Sequence, residues 1–229
     1  MGASPCGDGR GVARYRRGCP PLGDLWTSRG RRSVRRACNI IACDAVRDEV
    51  ESVLAGRHLA ARTSFLDSSL HFDCTALEQV LTENLQKHAD AADPTVLVFG
   101  ECYPGIDATA ARYGATRVRA SNCIAMLLGE EQYTRGLMEG QFFLTSAWLS
   151  GWRETIEKRF GLDAATAREL FSETATAVVY LETLIRSPGS AAARAFARYV
   201  DLPLCRVDVG LENLAELIEE AIHVGKSPP

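Results

Sequence analysis

Three cysteines stand where a thiol could do chemistry: Cys43 closing "NIIAC", Cys102 in "VFGECYPGID" and Cys123 in "RASNCIAML". Each follows an apolar run and precedes residues suited to a helix start. Asp44 and Asn122 are good N-caps, and Pro104 suits a first helical turn. A thiol beside unpaired backbone N–H groups, at the positive end of a helix dipole, is expected to have a lowered pKa and to favour the thiolate. That form ligates soft metals and attacks electrophiles. Gaps of 59 and 21 residues make no local zinc pattern of paired cysteines, so the fold must bring the thiols together. Cysteine is also a small buried hydrophobe, and packing is the competing expectation for all three.

His71 in "SSLHFDC" is the best further ligand, because it follows a predicted strand, with a hydrogen-bonded histidine near a strand end as the plainer alternative. Cys74 lies one helical turn beyond it. Glu101 and Asp107 flank the second thiol as candidate acid–base groups or hydrogen-bond acceptors, against solvation and helix capping. Glu182, ending "AVVYLE", sits at an equivalent strand edge as a polar contact. Trp148 and Trp152, spaced i and i+4 with Phe142 and Phe143 nearby, suit a core, or else the wall of a flat ligand. Cys6, Cys19, Cys38 and Cys205 are read only as packing residues.

The elements that must carry these residues alternate. Strands are predicted at "CNIIAC", "RTSFLDSSLHF", "TVLVFG", "ATRVRA", "QFFLT", "TAVVYLET" and "LPLCRVDV". Helical periodicity separates them, most clearly in "TALEQVLTENLQKHAD", where Thr75 and Glu78 form a capping box and Leu77, Val80, Leu81 and Leu85 a stripe. The pattern predicts an α/β protein with a largely parallel sheet. It is built from about three β-α-β units (residues 39–70, 95–120 and 177–209), with a helical insert around 130–172. Ligands of such sheets bind at the carboxyl ends of the strands, where all three cysteines fall.

The chain has 229 residues, 46% hydrophobic and 24% charged, as expected of one sizeable globular domain. Residues 1–37 carry nine Arg against two Asp and are rich in Gly and Pro. They read as a disordered basic tail or a non-native start, leaving residues 38–229 as a single α/β domain. That remainder holds 17 basic against 27 acidic residues, which argues against nucleic acid as a partner. No apolar run reaches membrane-span length and no secretory leader is evident, so no membrane and a cytoplasmic location are expected. The eight cysteines are then expected to be reduced.

"IIACDAV", "LVFGECYPGID", "RVRASNCIAMLLG" and "GQFFLTSAWLSGW" together resemble the uncharacterised domain-of-unknown-function family 1638, over roughly Cys38 to Ile222. The resemblance implies a cysteine in each of the first three motifs, matching Cys43, Cys102 and Cys123. Tyr103 departs from it, standing where relatives often carry Gly or His, as does Asp44, where a Gly is common. Members are often encoded near corrinoid-dependent methyltransferases, which implies such a system as partner and a corrinoid only as a partner-bound ligand. Three cysteines from separate β-α-β units suit an Fe–S cluster with one open iron, or zinc with an exchangeable position. Glu101, Tyr103, Asp107, Asn122 and Glu182 are the pocket candidates around them. The expected function is metal- or Fe–S-dependent, as enzyme or accessory factor in one-carbon methyl transfer. The alternative is a metal-free ligand-binding or methyltransferase-partner module whose cysteines only pack.

Overall fold

The computed structural model describes residues 37–89, 91–185 and 189–225. The basic stretch expected as a tail lies, but for Ala37, outside them. In chain order the elements are β1 (Cys38–Cys43), a 3-10 turn (Asp44–Val46), α1 (Arg47–Gly56), β2 (Ala61–Leu66), a 3-10 turn (Ser68–Phe72) and α2 (Cys74–Gln86). Then come β3 (Thr95–Val98), α3 (Ile106–Arg112), β4 (Ala115–Arg117), α4 (Cys123–Leu128), α5 (Glu130–Met138) and β5 (Gln141–Leu144). The rest are α6 (Ser146–Ser150), a π-helical segment (Glu154–Arg159), α7 (Ala164–Thr174), β6 (Ala177–Glu182), α8 (Gly189–Val200), β7 (Leu204–Asp208) and α9 (Glu212–Val224).

The architecture is α/β with parallel strands flanked by helices, and the strands are divided between two sheets. One runs β2-β1-β3-β4, the other β5-β6-β7, and every pairing is parallel. The three anticipated units are β1-α1-β2, β3-α3-β4 and β6-α8-β7. Residues 130–172 are mostly helical, as expected, but β5 runs through them and founds the second sheet.

β1 is buried at all six positions, as a central parallel strand must be. Its alternation divides two cores. Ile40 and Ala42 join Val96, Val98 and the α9 residues Leu214 and Ile218, whereas Ile41 and Cys43 join Leu97, Phe99 and the α2 stripe Leu77, Leu81 and Leu85. Burying each such leucine contributes roughly 1.5–3 kcal/mol. Val179 and Leu181 of β6 belong to the α9 core, so one apolar cluster ties the sheets together. The opposite face of β6, with Val178 and Tyr180, packs on Leu149, Trp152, Phe171 and Phe196.

Within the first sheet β2 lies on one side of β1, and β3 and β4 on the other. The connections leaving β1 and β3 therefore diverge, opening a crevice at the carboxyl ends of these two strands. Cys43 ends β1, and Cys102 lies just after β3. Among the described residues no helix is long and apolar enough to cross a membrane.

Candidate functional site

The site is built by the loops that follow β1, β3 and β4. A Cβ on Gly100 would lie 2.4 Å from the Asn122 Cα and 2.6 Å from the Ser121 carbonyl oxygen. Glycine alone allows that approach, and the Glu101 N–H then donates to the Ser121 carbonyl at 2.8 Å. The loops carrying Cys102 and Cys123 are thereby laid side by side. Asn122 caps α4 as expected, accepting from the Ala125 N–H at 2.9 Å. Ser121 gives both its N–H and its hydroxyl to the Glu130 carboxylate.

Arg117 holds the same loops from beneath. Its Nη1 donates to the carbonyls of Phe99, Val118 and Ala120 at 3.2, 3.1 and 2.9 Å. Nε and Nη2 make a bidentate pair with Asp107 at 2.7 and 3.0 Å. The Arg117 side chain is 7% exposed, so these charge-assisted bonds form largely out of water. The pair holds the Asp107 carboxyl below its usual range and raises the guanidinium. Asp107 is thus an anchor for the scaffold and not a free acid–base group. Glu101 is exposed, and its charge also raises Arg117.

The thiol chemistry corrects an expectation. Backbone groups of Ala45, Gly100 and Ile124 do act on Cys43, Cys102 and Cys123 and pull each pKa down, although Gly100 belongs to the loop after β3 and Cys102 lies four residues before α3 instead of at its start. Burial is larger and wins. Desolvation, with the charges of Cys123 and Cys102, pushes Cys43 up to about 12. Desolvation and the Cys123 charge push Cys102 up to about 11. Cys123 is raised by burial, with the Glu49 carboxylate adding to it. It is partly buried and lines a cavity. The three thiols lie near enough to repel one another's charge, and they are held neutral.

His71 sits on the 3-10 turn after β2, with Nε2 3.1 Å from the Cys102 Sγ. Its Nδ1 lies 3.0 Å from the Ser68 carbonyl oxygen. A carbonyl only accepts, so Nδ1 carries the proton and Nε2 turns its lone pair to the thiol. Cys74, the first residue of α2, places Sγ 3.9 Å from the Cys102 carbonyl oxygen.

Several local expectations change. Asp44 lies inside its 3-10 turn and pairs with Arg47 instead of capping. Pro104 precedes α3, whose N-cap is Gly105 in a left-handed conformation. Asp73, not Thr75, caps α2. Glu182 is buried and accepts from the Leu184 N–H at 3.2 Å, at the end of β6. Tyr103 is buried with Thr109 beside it, yet its hydroxyl forms no hydrogen bond of acceptable geometry. Cys38, Cys43, Cys74, Cys102 and Cys123 are free thiols.

A cavity of about 730 Å³ opens beside the thiols, lined by His71, Phe72, Cys123, Phe143, Trp148 and the π-helical segment, among others. Trp148 and Phe143 therefore do wall an open space, while Trp152 is core. Sequence reasoning missed Arg117, Gly100 and Glu49. Glu49 accepts from the Thr183 hydroxyl at 2.9 Å, bridging α1 to the end of β6 near Cys123. "GEC" was the one available signal, a small residue beside the thiol.

Soft thiols and an imidazole are the donor chemistry of zinc or an Fe–S centre, so the residue types fit such a group. As the side chains stand, however, no three His, Cys, Asp or Glu among the described residues are grouped to hold a metal ion.

Residues 65–218 match a family described as "Protein of unknown function (DUF1638)". The matched span includes His71, Cys102 and Cys123 and begins downstream of Cys43. No curated protein matches the chain, and no solved structure matches it.

Proposed function

This chain belongs to the DUF1638 family, and from that premise we propose that it is a metal-dependent α/β protein whose centre is held by Cys43, Cys102 and Cys123 with His71. The observation that carries the reading is the His71 Nε2 lone pair 3.1 Å from the Cys102 Sγ, with the two other thiols near enough to raise each other's pKa. The Nδ1 bond to Ser68 is the outer-shell contact that fixes an imidazole tautomer in ligating histidines. Neutral, crowded thiols suit a site that releases its protons to solvent as a cation enters, because the cation offsets the repulsion the thiolates would otherwise feel. Zinc or an Fe–S cluster with an open position would act there as a Lewis acid, keeping a coordinated thiol ionised near neutral pH.

The chain's own residues do the rest. Arg117 and Gly100 fix the loops that carry two of the thiols, and His71 orients the Cys102 thiol through Nε2. The cavity beside Cys123 keeps water from the ligand it takes. The resemblance to proteins encoded beside corrinoid-dependent methyltransferases supports placing this chemistry in or next to one-carbon transfer in the cytoplasm. The corrinoid would then stay with the partner.

A second reading is favoured by the neutral state of the thiols and by the absence of a completed donor group among the described residues. In it the cavity binds a small molecule and the cysteines only pack. Anaerobic purification, reconstitution with zinc or with ferrous iron and sulfide, elemental analysis and an absorption spectrum decide between them. About one centre per chain is expected, lost in Cys102→Ala and Cys123→Ala. A wild-type protein that retains no metal after reconstitution sinks the first reading and leaves the second.

A further inference from the structure

The cavity has features that the thiols do not explain. It has three aromatic walls, Phe72, Phe143 and Trp148, and its lining is mostly apolar. Trp148 is wedged edge-on against Phe142 and Phe196 at 5.9 and 5.1 Å between ring centres, so its exposed part is pre-positioned. Its volume of about 730 Å³ lies in the range of small-molecule sites.

One wall is the π-helical segment Glu154–Arg159, which contributes Glu154, Thr155, Lys158 and Arg159. Such helices are rare and recur at functional sites, because the wider turn re-aims side chains. The two cations here differ. Lys158 is neutralised by Glu154 at 2.6 Å. Arg159 makes no ion pair among the described residues, and its guanidinium lies 4.1 Å over the Phe72 ring. A guanidinium resting on an aromatic face has no hydrogen-bond acceptor there, so its N–H groups are available to an anion.

We propose that this cavity binds a flat, mostly apolar small molecule carrying one anionic group, an aromatic carboxylate being the simplest case. Its body lies against Trp148 and Phe143 and its anion on Arg159, within the enclosure that Cys123 and His71 share. The proposal deepens the reading of the thiols as the reactive centre by naming the class of molecule presented to them. Binding itself does not depend on that reading; only the chemistry after binding does.

The test uses the full chain and two dyes of the same shape, anilinonaphthalene sulfonate, which carries one anion, and uncharged phenylnaphthylamine. Fluorescence titration of the wild type should give one saturable site for each. Arg159→Gln, at an exposed position, should weaken the sulfonate dye about tenfold, the scale of one charge-assisted contact, and leave phenylnaphthylamine within about twofold. Ala147→Trp, which fills the cavity, should block both. Equal sulfonate binding by the wild type and Arg159→Gln, dye binding unaffected by Ala147→Trp, or no saturable site each overturns the proposal. Titrating Cys102→Ala in parallel separates the two ideas. Retained dye binding in a wild type that cannot be loaded with metal leaves the cavity standing and removes the metal centre. A metal-loaded protein blind to both dyes does the reverse.

Discussion

Gly100 and Asn122 touch through their backbones: a Cβ on Gly100 would stand 2.4 Å from the Asn122 Cα. That contact sets the loop of Cys102 against the loop of Cys123, so the distance between two candidate ligands depends on the absence of one methyl group. Gly100→Ala should cost about 1–3 kcal/mol, towards the upper end because backbone must yield instead of a flexible side chain. The same variant should lose most of its metal after reconstitution while keeping a native-like circular dichroism spectrum. Urea denaturation and elemental analysis read the two effects. An unchanged midpoint together with full metal occupancy would show that the loops need no such closeness.

Arg117 is the second structural dependency. Arg117→Met removes the donor shared by three carbonyls and strips Asp107 of its partner, for a loss of about 3 kcal/mol. The pair also has a pH signature. Asp107 has a lowered pKa in the folded chain, so its contribution is complete above its ordinary value of 3.8 and is lost as pH falls through the lower folded value. Because the carboxylate side is 70% exposed, this part is worth under about 1 kcal/mol. The stability gap between wild type and Asp107→Asn should be constant above about pH 5 and close below about pH 4. Denaturation series across that window check it, and a gap that persists at acid pH would refute the assignment.

The thiols titrate in the opposite sense. Their folded pKa values, about 12 for Cys43 and about 11 for Cys102, lie above the ordinary 9.0. The folded chain therefore holds protons that the unfolded chain releases, and this stability is complete below 9.0 and lost as pH climbs through the folded values. Cys102→Ser should flatten the alkaline limb of the stability curve. Loading zinc at neutral pH should release roughly three protons per ion, one per thiol, and none in Cys102→Ala or Cys123→Ala, which lose the centre. An indicator-dye titration counts them; release of none by the wild type would mean that the metal sits elsewhere.

Much of the architecture is legible in the residues themselves. The apolar runs in "CNIIAC" and "TVLVF", and the Leu77–Leu81–Leu85 stripe, are local patterns, and local patterns set whether an element is buried on both faces or on one. Strand ends followed by helix starts likewise place Cys43, Cys102 and Cys123 at one edge. The cap of α2 falls two residues from its expected position because Asp73 and Thr75 are both competent acceptors, and only backbone geometry chooses between them. Arg117 looks like a surface arginine, since nothing in "ATRVRA" reveals that three carbonyls converge on it.

Residue order alone thus determined the parallel α/β plan, the positions of the thiols along it and the family to which the chain belongs. Tertiary structure decided what depends on distance between segments far apart in sequence. It split the strands into two sheets, turned His71 towards Cys102, opened the cavity beside Cys123 and reversed the expected shift of the thiols. The physical reason lies in the range of the forces. Neighbouring backbone N–H groups act on a sulfur within a residue or two and are written locally. Desolvation sums over every atom that crowds the sulfur, and most of those atoms come from elsewhere in the chain.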